Sequence, residues 1–215
     1  TVLATGTING VDADGKFYVN GNLTGLETAA ARGGKTVTRY NNPVTDTAIK
    51  KYGTSSLQLD GVEDYIGVAS NNDFGFSTGD FTIETFIYLN SLVGTRQLFD
   101  FRAGAVADVA PVVYISNGGQ LRYYTDSADR IIGSTLLTGQ WYHIALSRSS
   151  GTTSLYVNGI RVGTTYTDSN DYGVAKPLII GARYDGGNVA SAYFDEFRVT
   201  KGLARYTANF GALTA

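Results

Sequence analysis

The sequence predicts an all-β protein of antiparallel strands, closed as a sandwich or a barrel, and three observations point there. Segments in which apolar and polar residues alternate with a period of two recur at roughly ten-residue spacing, separated by Gly, Asn, Asp or Ser. The composition sets 27 Gly and 15 Tyr against 3 Pro, the balance of a chain with many tight turns and strand-forming aromatics. Helical stretches are few. A chain of 215 residues is long enough for one such domain around a single core.

Residues 1–15, TVLATGTINGVDADG, are polar and Gly-rich and stand apart as an amino-terminal extension, leaving 16–215 for the domain. LETAAA (26–31) has helix propensity but runs into RGGK, so at most one turn is expected there. SSLQLD (55–60) and YIGVAS (65–70) alternate as strands, and DFGFSTGDF (73–81) packs turn residues ahead of the long strand FTIETFIYLN (81–90). RQLFDFR (96–102), VVYISN (112–117) and LRYYTD (121–126) follow, with a turn at NGG (117–119). Pro111 and Pro177 each open an apolar run, where a missing N–H does least harm to a ladder. RIIGST (130–135) and WYHIALSRS (141–149) come next. In TTSLYVNGIRVGTTY, Asn158-Gly159 parts two alternating runs and accepts the positive φ values of a type I′ turn, which predicts a hairpin. PLIIGA (177–182) and AYFDEFRVT (192–200) are the last strands, and KGLARYTANF (201–210) is expected to supply a helical turn.

Composition also excludes. A net charge of −2 carries no basic excess for phosphates, so nucleic acid is not an expected partner. No apolar run is long enough for a membrane span, and insertion is not expected. With Cys 0 there are no disulfides or thiolate metal sites, and with Met 0 the chain reads as a mature form or a piece of a longer protein.

WYHIALSR (141–148) holds the one Trp and the one His. On a strand, Trp141, His143, Ala145 and Ser147 share one face and Tyr142, Ile144, Leu146 and Arg148 the other. Both faces are largely apolar, so the strand is expected to be central and His143 to be a buried sheet residue. Ser147 lies about 13 Å along the strand, beyond activation by His143, and no GxSxG elbow exists. Paired carboxylates are equally lacking. Glu63-Asp64 and Asp195-Glu196 are adjacent and fall on opposite faces, and Glu84 stands with Thr82 and Phe86 as a hydrogen-bonded sheet residue. Glu196 and Arg198, at i and i+2, are expected to pair on one face.

The segments YGTSSLQLDGVEDYI (52–66), STGDFTIETFIYL (77–89), GQWYHIALSRSSGTTSLYVNGIRVG (139–163) and AYFDEFRVTKGLARYTANF (192–210) resemble, in order and spacing, laminin G-like domains of the concanavalin A-like lectin/glucanase superfamily. KFYVNGNLTG stands where that family has its first strand, and FRVTKGLARYTANF is most similar to the version found in bacteriophage tail-fibre and head-decoration proteins. The resemblance implies an antiparallel two-sheet jelly-roll sandwich. It also implies a structural calcium ion held by Asp195, with Asp60 as a neighbour. The glucanase branch carries Glu, Asp and Glu at alternate positions of one strand; this chain has no such run, so no enzymatic activity is expected.

Sugar recognition uses flat aromatic surface and planar polar groups. Three loop regions offer them: Tyr123 and Tyr124 in YYTDSADR; Tyr166, Asp168, Asn170, Asp171 and Tyr172 in YTDSNDYG; and Tyr184 in ARYDGGN. The expected function is a noncatalytic module on the surface of a phage virion that binds host surface glycan. The alternative is a structural or decoration domain that contacts other virion proteins, and a glycoside hydrolase is the third reading. A homo-oligomer is expected in either of the first two cases, with the extension as a strand that a neighbouring chain could accept.

Overall fold

Alternation sends every second side chain of a strand to one face, and here those faces meet between two sheets. A computed structural model describes residues 16–19, 36–105 and 107–211. The extension 1–15 and LETAAA lie outside them. The first sheet runs β13 (Ile160–Thr167), β12 (Thr152–Val157), β11 (Trp141–Ser149), β6 (Phe81–Leu89), β15 (Ser191–Lys201), β4 (Ser56–Asp60), β3 (Val44–Asp46), and β1 (Lys16–Val19) also pairs with β15. The second runs β10 (Ala128–Thr135), β9 (Gln120–Thr125), β8 (Val112–Ile115), β7 (Arg96–Asp100), β14 (Lys176–Ile180), β5 (Tyr65–Asn71), β2 (Val37–Tyr40). Every pairing is antiparallel, the arrangement of a jelly-roll sandwich. Among the described residues there is no α-helix, and none long and apolar enough to cross a membrane.

The core lies between the sheets. Phe81, Ile83 and Ile87 of β6, Ile144 and Leu146 of β11 and Phe194 of β15 join Phe99, Val113, Leu121 and Ile180 from the facing sheet in one buried cluster. Each such side chain stabilises the fold by about 1.5–3 kcal/mol. β11 sits between β12 and β6 and is buried on both faces, as its apolar pattern predicts. Asn158 and Gly159 take φ of 50° and 82°, the type I′ pair of the predicted hairpin.

Three expectations change. VTRY and VTD form β2 and β3, short outer strands whose polar residues carry little alternation. In β15 a bulge falls between Asp195 and Arg198, where Glu196 has φ 47°. The extra residue flips parity, so Phe197 and Val199 join Phe194 in the core and Arg198 turns outward opposite Glu84, and i, i+2 reasoning from Glu196 no longer applies. KGLARYTANF supplies no helical turn after β15. It lies as an irregular strap over the outer face of the first sheet, because strand groups occupy its polar atoms. Thr82 Oγ1 donates to the Leu203 carbonyl (3.1 Å), and Arg205 N donates back to Thr82 Oγ1 (2.9 Å). Phe210 N donates to the Gly159 carbonyl (2.9 Å) and Arg161 N to Asn209 Oδ1 (2.9 Å).

Gly159 is thus held both by its turn and by the strap: a Cβ built on it would lie 2.2 Å from the Phe210 carbonyl oxygen. Gly202 has a similar φ of +81° with open space around it. Urea denaturation is expected to show Gly202→Ala losing about 1 kcal/mol to backbone strain alone, and Gly159→Ala losing clearly more; equal losses would mean the strap does not press on the hairpin.

Candidate functional site

The strand order of the second sheet assembles a hollow on its outer face. Antiparallel register sets Gln97 opposite Tyr114 and Tyr114 opposite Arg122; a second row runs Asp100, Val112, Tyr124, Asp129. The hollow has a volume of about 260 Å³ and is lined by Thr95, Gln97, Arg102, Val112, Tyr114, Tyr124, Arg183 and Asn188. Asp100, fully buried, grips Arg102 with both oxygens (Nε 3.0 Å, Nη2 2.6 Å). The guanidinium so fixed lies 4.8 Å from the Tyr184 ring centroid and 5.4 Å from that of Tyr124. Arg183 is matched in turn by Asp185 (2.7 and 2.5 Å), and the hydrogen bond from Arg183 pulls the Asp185 carboxyl down to about 2. Burial and the hydrogen bond to Asp129 (2.8 Å) push the Tyr114 hydroxyl up to about 12, so it is a neutral group at physiological pH. Gln97 is 2% exposed, and its buried side-chain amide nitrogen has no hydrogen-bond partner among the described residues. Across the 182–188 loop, Tyr40 stacks on Tyr65 (4.2 Å) beside a second hollow with Glu63 and Asp185 on its wall.

Tyr124 and Tyr184, from two of the three loop regions, therefore come together around Arg102. The other candidates go elsewhere. Tyr123 points from β9 into the core, where its hydroxyl meets that of Tyr172 (2.6 Å). Tyr172 donates to Asp168 Oδ2 (2.6 Å), as does Thr153 Oγ1 (2.6 Å), and Arg148 Nη2 donates to the Asp168 carbonyl (2.7 Å). Tyr123, Asp168 and Tyr172 are at most 1% exposed. This is a correction to the loop reading: they are a satisfied buried network that pins 166–173 between the sheets, and none offers a face to a sugar. Burial drives both tyrosine hydroxyls well above their ordinary range. Asn170 N donates to Asp168 Oδ1 (3.1 Å), Tyr166 packs under Arg130 (5.1 Å), and exposed Asp171 accepts from Gly173 N (2.8 Å) to close a turn.

A different polar cluster fills the outer face of the first sheet. Glu84 is 2% exposed and accepts from His143 Nε2 (3.0 Å), Tyr206 OH (2.7 Å) and Arg198 Nε (2.6 Å), with Arg205 Nε at 3.3 Å. Glu84 is thus the hydrogen-bonded sheet residue expected from the sequence, with donors gathered from β11, β15 and the strap that covers it. Among the described residues the His143–Glu84 pair is hydrogen-bonded to no serine and no second carboxylate, and it ties β11 to β6.

Asp195 does not fit calcium. Its Oδ2 accepts from the backbone N–H groups of Lys51 (2.8 Å) and Tyr52 (3.0 Å) and its Oδ1 from Glu196 N (2.9 Å), a cradle that points hydrogens where a cation would sit. Asp60 pairs in register with Ser191, four residues from Asp195 along β15, and accepts from Val62 N (2.6 Å). The two carboxylates cannot share an ion. Among the described residues no group of three or more His, Asp or Glu side chains could hold a metal.

Burial raises the Glu84 carboxyl, but the His143 and Tyr206 hydrogen bonds and the Arg198 charge outweigh it and hold it below the ordinary carboxylate value. A lowered folded value stabilises above the unfolded value and is lost as pH falls through the folded one. Asp195 and Glu196, raised by burial, act in the opposite sense: their contribution is full below the unfolded value and fades as pH rises through the folded one. Denaturation from about pH 7 to about pH 3 is expected to show Glu84→Gln about 3 kcal/mol less stable than the parent at neutral pH, with the gap closing below about pH 4. A constant gap would show that the Glu84 charge is not what holds the strap.

Comparison with known proteins agrees with this architecture. A laminin G family model described as "Concanavalin A-like lectin/glucanases superfamily" matches residues 60–204, more than half of the chain. No curated protein sequence gives a significant match. The botulinum neurotoxin serotype D binding domain superposes with a TM-score of 0.56 at 15% identity, over 80% of this chain and 44% of that one. Trypanosoma rangeli sialidase in complex with 2,3-difluorosialic acid gives 0.55 at 16% identity, over 75% of this chain and 28% of that one. The chain spans less than half the length of these structures, and at such identities the likeness is one of fold. From the family match and the two-sheet sandwich together, this chain belongs to the laminin G-like branch of the concanavalin A-like lectin/glucanase superfamily.

Proposed function

We propose that the chain is a noncatalytic carbohydrate-binding module whose site is the hollow around Tyr124, Arg102 and Gln97. The observation that carries this reading is a hollow walled by the Tyr114 and Tyr124 side chains and by a guanidinium, that of Arg102, fixed from below by Asp100, with the polar side chains of Thr95 and Asn188 on its rim. Rings offer a sugar's C–H faces an apolar surface, and the polar groups fix its hydroxyls. Hydrolysis is a poorer match: no carboxylate is among the residues lining the hollow, and glycosidases flank the scissile bond with two. The binding domain of a neurotoxin and the sialidases among the fold's neighbours show that this scaffold serves both binding proteins and enzymes, so the site decides between them.

The setting we propose is the surface of a bacteriophage virion, with a glycan of the host surface as ligand and a homo-oligomeric assembly as carrier. Its support is the resemblance of FRVTKGLARYTANF to tail-fibre and head-decoration proteins. Glycan-array binding of the purified chain tests the module. Tyr124→Ala is expected to weaken saturable binding about tenfold, whereas Tyr166→Ala, half-buried beneath Arg130 and outside the hollow, is expected to leave it within about twofold. A blank array from folded protein would turn the assignment to a structural domain that contacts other virion proteins.

A further inference from the structure

We infer that the hollow selects an uncharged sugar ring, a neutral hexopyranose, over an acidic sugar, because each arginine that lines it is already matched by a carboxylate of the protein. This inference rests on the carbohydrate reading and names its ligand class. Arg102 is held by both oxygens of Asp100, and Arg183 by both oxygens of Asp185. Arg122, next in the register row beyond Tyr114, is matched by Asp129. An arginine that recognises a sugar carboxylate must turn its fork toward the ligand. Here the Arg102 fork is turned to a buried aspartate, while Arg122 and the more exposed Arg183 are paired with Asp129 and Asp185 at the surface. A sialic or uronic acid would have to displace the buried Asp100, which is costly, compete with Asp185 for a guanidinium already bound by both its oxygens, or lie with its own charge beside those aspartates.

The remaining groups are those that recognise hydroxyls. The Thr95 hydroxyl and the exposed Asn188 amide stand on the hollow's wall, with the buried Gln97 behind them. The half-buried Tyr124 ring supplies apolar surface for a ring's C–H face, with its register partner Val112 buried beside it. At about 260 Å³ the hollow falls below the roughly 300–1,000 Å³ of sites for drug-sized ligands, which suits one sugar ring rather than a buried chain of them.

The test is an array carrying both neutral and sialic- or uronic-acid-bearing glycans, read from about 0.05 to 0.5 M sodium chloride. The expected result is binding to neutral glycans whose strength changes less than about twofold with salt. Asn188→Ala and Thr95→Ala, both at the accessible rim where folding is not at stake, are expected together to weaken that binding about tenfold. Binding confined to acidic glycans and lost with salt would overturn the selectivity while leaving the carbohydrate reading intact. No binding to either class by folded protein would overturn both.

Discussion

A carboxylate buried in the middle of a sheet is the constraint to which the rest of this structure answers. An ionised Glu84 at 2% exposure is tolerable only if its oxygens are paired. Its donors come from three separate parts of the chain: His143 on β11, Arg198 on β15, and Arg205 with Tyr206 on the closing strap. The bulge in β15 belongs to the same solution. Without the extra residue, strand parity would turn Arg198 toward the core and Phe197 and Val199 toward the strap. One local irregularity therefore satisfies the buried charge and completes the hydrophobic core.

Once the strap is tied to Glu84, the two outer faces of the sandwich have different fates. On the first sheet, Tyr206 stacks on Phe210 at 3.7 Å and both pack against Tyr156 and His143, so much of that face is covered by the chain's own end. Asp195 continues the covering by holding the backbone of Lys51 and Tyr52. The second sheet has no such strap among the described residues. Its alternating outward positions, Gln97, Tyr114, Arg122 and Tyr124, stand side by side and form a wall. The division of labour follows from which sheet the segment 201–210 crosses.

Most of the strand framework was legible in the sequence because it rests on local rules. Alternation located the strands from β4 to β15, and Asn158-Gly159 fixed the hairpin through backbone conformation alone. The site was less legible because it depends on which strands become neighbours. RQLFDFR, VVYISN and LRYYTD each carry outward polar residues, but nothing local says that Gln97, Tyr114 and Arg122 will lie in one row. Tyr123 and Tyr124 make the point within one dipeptide: parity sends the first into a buried network and the second to the hollow. Tyr172 and Asp168 misled for another reason. A loop rich in Tyr, Asp and Asn resembles a ligand surface until long-range partners, Thr153 and Arg148, satisfy it from below.

The charge-matched arginines also bear on how such a module would work. Arg102 is held between Asp100 and two tyrosine rings, and its task is to fix those rings in place. A wall made rigid in this way loses little side-chain freedom when a sugar docks, which favours affinity without adding contacts. The hollow nonetheless accommodates one ring and exchanges hydroxyl hydrogen bonds with water for similar ones with protein, so the net gain per site is small. Weak single sites gain most from repetition, since a second engagement on the same surface is intramolecular and governed by effective concentration. A module of this kind is therefore best suited to a carrier that presents several copies at once, which ties the chemistry of the hollow to the oligomeric setting proposed for the chain.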